Sequence, residues 1–383
     1  MRWLEQTIRR YEHGRWTVDD NRKVYPFAWG LEHVGGPAQG ASAGAARGAG
    51  LPPVLNSPRP TPADPSTEDA AARAFLEKWA PETIARSEQW YACAPATDYQ
   101  LDDITDEKGQ RGLRLRFSSS IASPIANNNV VAARFFRAKM SGPAVVVLPQ
   151  WNAKPHAQMD ICRWLNTLGI SALRLSLPYH DSRTAPGHER ADQLVGTNIG
   201  LTLQANRQAV QDTRRCLRWL EQQGYGKLGL LGTSIGSSIA FIAMAHDPAV
   251  RAATFLHCST YFGDVVRMGM TTAHVWEGLR TKVTAEEIRR FWEPISPVPY
   301  VYRVGRSTTN GSNGSKPRCL VITGNYDPTF LPEFSEQALA GLRRHDVEHE
   351  KLQLPCGHYS LGEAPFKWIV GGRLGMFLFQ NLT

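Results

Sequence analysis

The chain has 383 residues, of which 42% are hydrophobic and 20% are charged, a composition that excludes collagen-like, coiled-coil and wholly disordered proteins. Its net charge is +8, but the basic residues are spread along the chain rather than gathered beside aromatic residues, so nucleic-acid binding is not expected. The apolar runs are far shorter than the roughly 20 residues that cross a bilayer, so no membrane span is predicted.

The first part of the chain, residues 1–111, is predicted to be an arm rather than a domain. It begins with an aromatic segment that includes Trp16 and Trp29, and such residues favour packing against the main body. Residues 35–66 are mostly Gly, Ala, Pro and Ser, which predicts a flexible segment because they bury too little apolar surface. A second polar stretch, 306–316, is predicted to be a surface loop.

The amino terminus carries charges where a secretory signal has an apolar segment, so a cytoplasmic location is expected. The six Cys residues lack the paired spacing of zinc sites, and they are expected to be reduced thiols. These patterns give no reason to expect a metal ion or another cofactor.

Short β-branched runs alternate with longer segments of helical period from residue 112 onward, which predicts a mostly parallel sheet with helices on both faces. Eight strands are predicted, at 112–117, 130–136, 144–148, 170–175, 227–231, 252–256, 319–323 and 349–354. The first two are joined too closely for a helical crossover, so they should pair in an antiparallel way. Helices are predicted at 156–168, 203–222, 235–246, 331–344 and 366–381.

Residues 259–317 form a gap between two predicted strands that is too long for a simple crossover. The gap contains large apolar side chains at helical spacing, including Met268, Trp276 and Phe291. It is predicted to be a small helical cap that shapes a pocket above the strand ends of the main domain, 112–383. The alternative is a surface insertion with its own minor core.

The strongest motif is the pentapeptide 232–236, which reads Gly-Thr-Ser-Ile-Gly and follows the strand-like run 228–231. In a G-x-S-x-G turn between a strand and a helix, the serine hydroxyl is exposed at the top of the sheet. Gly232 and Gly236 supply the small residues that such a turn needs. Ser234 would lie at a helix amino terminus, where developing negative charge is favoured.

A nucleophile of this kind needs an acid and a histidine, in that order along the chain. Asp327 follows the predicted strand 319–323, and His358 follows the predicted strand 349–354. Both are therefore expected at the same edge of the sheet as the serine. Asp264, which follows the sixth predicted strand, is the reserve acid.

Residues 112–383 resemble the α/β-hydrolase superfamily, because the elbow, the acid and the histidine occur in that family's order. Residues 219–226 are similar to a group of abhydrolase-domain proteins, and dienelactone hydrolases and acetyl xylan esterases are more distantly similar. The resemblance implies an α/β-hydrolase fold. It also implies Ser234 as nucleophile, His358 as general base and then acid, and Asp327 as the residue that orients the imidazole.

The family's oxyanion hole uses the N–H that follows the nucleophile, which is Ile235 here, and one from the loop after the third family strand. That loop usually reads His-Gly-x, whereas this chain has Pro149 and Gln150 after the predicted strand 144–148. The second donor is therefore predicted to be Trp151, or Gln150 if the register differs by one residue.

The loop after the fourth predicted strand contains charged residues at the carboxyl end of the sheet, where substrates bind in open α/β folds. His180 and Arg183 are therefore candidate substrate contacts, although ordinary turn chemistry with salt bridging explains them equally well. Gln150, which follows the predicted strand 144–148, is a third candidate. A metal site formed by His180, Asp181 and His188 is disfavoured, because their spacing is loose.

These residues predict a serine hydrolase that cleaves a small-molecule carboxylic ester through an acyl-enzyme. An acyltransferase or a peptidase would use the same three residues. The alternative from another class is a non-catalytic binding protein with this fold, which the unusual Pro149 and Gln150 favour. The sequence does not predict the oligomeric state.

Overall fold

The computed structural model describes residues 2–18, 21–36, 67–105, 109, 111–139, 142–306 and 316–383. Most of the two predicted loops, 35–66 and 306–316, therefore lies outside the described residues. The described strands are β1 (Gln100–Thr105), β2 (Arg111–Ser118), β3 (Val130–Phe136), β4 (Ala144–Leu148), β5 (Ser171–Leu175), β6 (Leu228–Thr233), β7 (Val250–Leu256), β8 (Arg318–Gly324) and β9 (His349–Leu354).

These strands form one sheet in the order β1-β2-β3-β5-β4-β6-β7-β8-β9. The pairs β1–β2, β2–β3 and β3–β5 are antiparallel, and all the others are parallel. The sheet has nine strands rather than the predicted eight, because β1 was missed. This strand lies at the edge and contains two consecutive Asp residues, and its side chains are exposed or half-buried, so its sequence lacks an apolar face.

Helices lie on both faces of the sheet, as predicted. The described helices of the chain are α1 (Arg2–Val18), α2 (Thr67–Ala85), α3 (Ser87–Trp90), α4 (Met159–Thr167), α5 (Ile199–Gln222), α6 (Ile235–His246), α7 (Phe262–Met268), α8 (Ala273–Leu279), α9 (Ala285–Phe291), α10 (Val301–Arg306), α11 (Pro332–Arg344) and α12 (Phe366–Leu382). The prediction for α6 is confirmed to the residue. The prediction for α5 began four residues late, because Asn198 caps this helix by accepting a hydrogen bond from the N–H of Leu201 (2.9 Å).

The central strands are apolar on both faces, which explains why they lie inside the sheet. Every residue of β4 and β5 is buried. On one face Val146 and Leu148 belong to an apolar cluster that includes residues of α5 and α6, whereas Val145 and Val147 on the other face contact a cluster that includes residues of α4 and α12. An apolar layer on each face therefore fixes the positions of the parallel strands and of their carboxyl ends.

The segment between β7 and β8 contains the short helices α7 to α10, so the predicted helical insertion is present. Four large side chains of this segment are fully buried: Leu279, Ile288, Phe291 and Trp292. Among the aromatic residues of the first segment, Trp29 is buried, whereas Trp3 is 74% exposed. In the part of the chain that the structure describes, no helix combines the length and the apolar character that spanning a bilayer requires.

Candidate active site

The turn between β6 and α6 holds Ser234 in a strained conformation. Its φ and ψ are 56° and −123°, outside the regions that residues with a side chain normally occupy. A Cβ atom at Gly232 would lie 2.3 Å from the carbonyl oxygen of Gly236, and one at Gly236 would lie 2.5 Å from that of Leu148. Both positions therefore need glycine, and the end of β4 touches the first turn of α6.

The loops after β8 and β9 bring Asp327 and His358 together. His358 Nδ1 lies 3.1 Å from Asp327 Oδ2 in hydrogen-bond geometry. The other carboxylate oxygen accepts hydrogen bonds from the backbone N–H groups of Thr329 (2.8 Å) and Phe330 (2.9 Å). Because a carboxylate only accepts, Nδ1 is the donor. The second ring nitrogen of a neutral His358, Nε2, is then free to accept a proton.

Electrostatics favour an ionised Asp327 and a basic His358. Burial by itself would raise the pKa of Asp327, but the neighbouring imidazoles of His358 and His257 outweigh it and hold that pKa well below its usual range. Burial has the opposite effect on His358 and by itself would lower its pKa. The charge and hydrogen bond of Asp327 and the charge of Glu12 outweigh burial and raise the pKa of His358 above 6.5. A general base near neutral pH has this character.

A second histidine, His257, lies against the same carboxylate. It follows β7 directly, with a positive φ of 61°, and its Nδ1 is 2.6 Å from Asp327 Oδ2. This Nδ1 forms no aligned hydrogen bond within the described residues. The rings of His257 and His358 are 4.3 Å apart. Burial and the charge of His358 lower the pKa of His257, which favours its neutral form.

His257 was not predicted to be a site residue. The available signal was its position at the carboxyl end of the parallel strand next to the elbow strand, because such ends meet at one edge of the sheet. The backbone N–H of Ser234 donates to the carbonyl of Leu256 (2.8 Å), which ties this strand end to the elbow.

Among the described residues, a metal ion could be held by His257, Asp327 and His358, called here the two-histidine cluster. They offer three ligand atoms within 4.8 Å of one another. Two imidazoles and one carboxylate are a donor set that Zn²⁺ or Fe²⁺ accepts in proteins. In the geometry described above, however, Asp327 and His358 are already hydrogen-bonded to each other.

The two predicted oxyanion donors lie at neighbouring chain segments. Ile235 is the first residue of α6, so its N–H is not used by the helix. Among the described residues, the backbone N–H groups of Gln150 and Trp151 donate no hydrogen bond. The Trp151 ring is fixed by a bond from its Nε1 to the carbonyl of Ala191 (2.9 Å) and by stacking on His274. Trp151 and Gln150 both have a backbone N–H that could serve as the second donor.

The side chain of Gln150 takes part in a polar network next to the elbow. Gln158 Nε2 donates to Thr233 Oγ1 (2.7 Å) and lies 3.3 Å from Gln150 Oε1. Thr233 directly precedes Ser234. Gln150 is therefore linked through Gln158 to the residue before the candidate nucleophile, and its substrate contact stays a prediction.

His180 has a structural role and not the predicted contact with substrate. It is buried, its Nδ1 contacts the carbonyl of Pro178 (2.9 Å), and its Nε2 accepts from the backbone N–H of Asn152 (2.9 Å). Burial lowers the pKa of His180 to about 4, so the ring is neutral at physiological pH. It braces the loop that carries Trp151, and a direct substrate contact is not supported.

Arg183 also faces the interior, contrary to the predicted substrate contact. Its guanidinium is fully buried and pairs with Asp212 at 2.8 Å. Its remaining donors bind the carbonyls of Asn128 and Ser176. The reserve acid, Asp264, lies within 3.5 Å of Arg289 in the helical insertion, whereas His358 bonds to Asp327.

Comparisons with known proteins agree with this architecture. Residues 162–309 match the family model described as Alpha/beta hydrolase domain containing 18. This region includes the elbow and His257, but it ends before Asp327 and His358. The acetyl xylan esterase from Paenibacillus sp. R4 is similar in structure, with a TM-score of 0.55 and 13% identity over 79% of this chain and 94% of that chain. The chain has the α/β-hydrolase fold.

Two further structures share this α/β-hydrolase fold. Acetyl xylan esterase 1 from Thermoanaerobacterium sp. JW/SL YS485 has a TM-score of 0.55 and 14% identity, over 80% of this chain and 98% of that chain. The acylaminoacyl peptidase from Pyrococcus horikoshii has a TM-score of 0.52 and 11% identity, over 75% of this chain. The chain spans only 42% of the length of that peptidase. No curated protein sequence matches the chain.

Proposed function

We propose that this α/β-hydrolase-fold protein is a serine hydrolase that cleaves a small-molecule carboxylic ester through an acyl-enzyme on Ser234. The observation that carries the proposal is the partly buried hydrogen bond between His358 and Asp327, formed at the edge of the sheet where the elbow strand also ends. A strained serine, a basic imidazole and a buried carboxylate are the three groups that acyl transfer to serine uses.

In the first step, Ser234 Oγ attacks the acyl carbon while His358 Nε2 accepts the hydroxyl proton. The negative charge that develops on the acyl oxygen is stabilised by the N–H groups of Ile235 and of Trp151 or Gln150. The imidazolium then gives its proton to the leaving alkoxide, and the alcohol departs. The hydrogen bond to Asp327 keeps the ring in the required tautomer and stabilises its positive charge.

In the second step, a water molecule attacks the acyl carbon of the acyl-enzyme while His358 Nε2 accepts a proton from the water. The same proton returns to Ser234 Oγ when the carbon–oxygen bond to serine breaks. The products are the free acid and the original enzyme. Asp327 stays ionised throughout, in accordance with its lowered pKa.

Structural similarity supports esters over peptides as substrates. The two acetyl xylan esterases are matched over 94% and 98% of their length, whereas the peptidase match spans 42% of that protein. An acyltransferase would use the same residues with an alcohol in place of water. Product analysis in the presence of an added alcohol distinguishes transfer from hydrolysis.

A fluorophosphonate probe tests the proposal directly, because it phosphonylates an activated serine. We expect the wild-type protein to be labelled, Ser234→Ala to be unlabelled, and Ser238→Ala in the same helix to be labelled like the wild type. Labelling retained in Ser234→Ala would refute the assigned nucleophile. Lack of labelling in a folded wild-type protein would favour the non-catalytic alternative.

A further inference from the structure

A glutamate from the opposite end of the chain contacts the loop that carries His358. Glu12 lies in α1 and is 1% exposed. Its Oε2 accepts a hydrogen bond from the backbone N–H of Tyr359 (2.8 Å), and its Oε1 accepts one from that of Ser360 (2.9 Å). These are the two N–H groups that follow His358 directly, so the carboxylate fixes the backbone beside the candidate base.

The loop is shaped to receive this carboxylate. A Cβ atom at Gly357 would lie 2.5 Å from Glu12 Cδ, so a side chain there would displace the glutamate. Gly357 N–H donates to the hydroxyl of Ser360 (2.8 Å), which closes the turn. Tyr11, the residue before Glu12, donates from its hydroxyl to Glu363 (3.1 Å), and this bond ties α1 to the same segment.

The negative charge of Glu12 acts on the candidate site and is not paired with a basic side chain at the surface. Within the described residues, no Lys or Arg forms an ion pair with it. Its negative charge adds to that of Asp327 in raising the pKa of His358. It also acts on Cys356, whose pKa burial, Asp327 and Glu12 together raise to about 12.

We propose that Glu12 is a positioning residue for the hydrolase reaction, which holds the His358 loop through two backbone N–H groups and stabilises the imidazolium that forms there. This inference rests on the proposed function. In that reaction His358 is protonated after the attack of Ser234 and again after the attack of water. Asp327 binds the ring directly, whereas Glu12 acts through the backbone and through its charge.

The contact spans the chain, since Glu12 and Tyr359 are 347 positions apart. The amino-terminal helix is therefore a part of the site, and a change that displaces α1 would alter the candidate base. No sequence motif marks this glutamate, because only the folded chain brings α1 to the loop after β9.

Glu12→Gln tests the proposal, because it removes the charge and leaves one oxygen where two N–H groups need acceptors. Glu5→Gln is the matched control on the same helix, since Glu5 is partly exposed and pairs with Arg9. We expect Glu12→Gln to slow fluorophosphonate labelling severalfold and to lower its pH midpoint by about half a unit to one unit. Glu5→Gln should change neither.

Titration of His358 by NMR in protein with ¹⁵N-labelled histidine measures the same midpoint without activity. The titratable groups around this ring are Asp327, His257 and Glu12 from other elements, with Cys356 and Tyr359 on its own loop. The wild-type midpoint should lie above 6.5, and Glu12→Gln should lower it. A folded Glu12→Gln protein with the wild-type midpoint would show a structural role alone and overturn the proposal.

Two further measurements cover the remaining outcomes. If Glu12→Gln does not fold, Glu12→Asp takes its place. This variant keeps the charge but shortens the side chain that holds the two N–H groups, so it should titrate like the wild type but label more slowly, and labelling at the wild-type rate would overturn the proposal. If the wild-type protein is not labelled, the proposed function fails, whereas the NMR titrations still decide whether Glu12 acts on His358.

Discussion

Replacing Asp327 with Asn tests the account of the site, because the structure specifies how each atom of the side chain is used. Oδ1 accepts two backbone N–H groups, and Oδ2 faces the Nδ1 atoms of His358 and His257. An asparagine would keep its oxygen towards the two N–H groups and turn its NH₂ group towards the imidazoles. His358 Nδ1 would then have to accept, so Nε2 would carry the proton.

In this tautomer Nε2 cannot remove the proton from Ser234. Where a triad acid is replaced by its amide and the ring is held in the wrong tautomer, the rate falls on the order of 10⁴-fold, which corresponds to about 5 kcal/mol of transition-state stabilisation. The buried geometry here predicts a loss of similar size, because both carboxylate oxygens of Asp327 are engaged by groups of the protein.

The assay is the second-order rate of fluorophosphonate labelling, with circular dichroism as the check on folding. Asp264→Asn, which changes the reserve acid in the helical insertion, is the matched control and should label at the wild-type rate. If Asp327→Asn labels within threefold of the wild type while Asp264→Asn is inactive, the assignment of the acid is wrong.

The pH, two buried contacts and the metal content each provide a further test. Labelling should fall with decreasing pH around a midpoint above 6.5, because only neutral His358 accepts a proton; a rate that is flat down to about pH 5 would exclude this base. Gly236→Ala places a methyl group 2.5 Å from the Leu148 carbonyl, so urea unfolding should show a loss of about 1–3 kcal/mol, and an unchanged midpoint would argue against this packing. Arg183→Ala leaves Asp212 buried without its cation and should lower the unfolding free energy by about 3–5 kcal/mol; a loss under about 1 kcal/mol would mean that the pair is solvated. Dialysis against EDTA should not change labelling, since no proposed step uses a metal, whereas a loss that Zn²⁺ restores would identify the two-histidine cluster as a metal centre.

Local patterns were sufficient to predict most of the fold. The elbow and α6 were found because a buried strand, a Gly-x-Ser-x-Gly turn and an apolar helix follow one another without interruption. The parallel strands β4 to β8 were found because both of their faces are apolar. The edge strand β1 was missed since one of its sides is open and its sequence is largely polar.

The sequence was less informative about residues whose role depends on distant parts of the chain. Arg183 was predicted to contact substrate because it lies on a strand-end loop, but α5 places Asp212 beside it in the interior. His257 and Glu12 were missed because neither belongs to a motif. Their positions depend on which strands are neighbours in the sheet and on where α1 docks.

The central claim is that Ser234 carries the acyl group during turnover. Rapid quenching of the protein with a p-nitrophenyl ester, followed by peptide mapping by mass spectrometry, measures this directly. The account predicts the acyl mass on the peptide that contains Ser234. More of this acyl-enzyme should be found when the reaction runs at acidic pH, because release of the acid is then slow. An acyl group found on another residue would contradict the account. So would turnover of the ester by both Ser234→Ala and the wild type with no covalent intermediate in either protein.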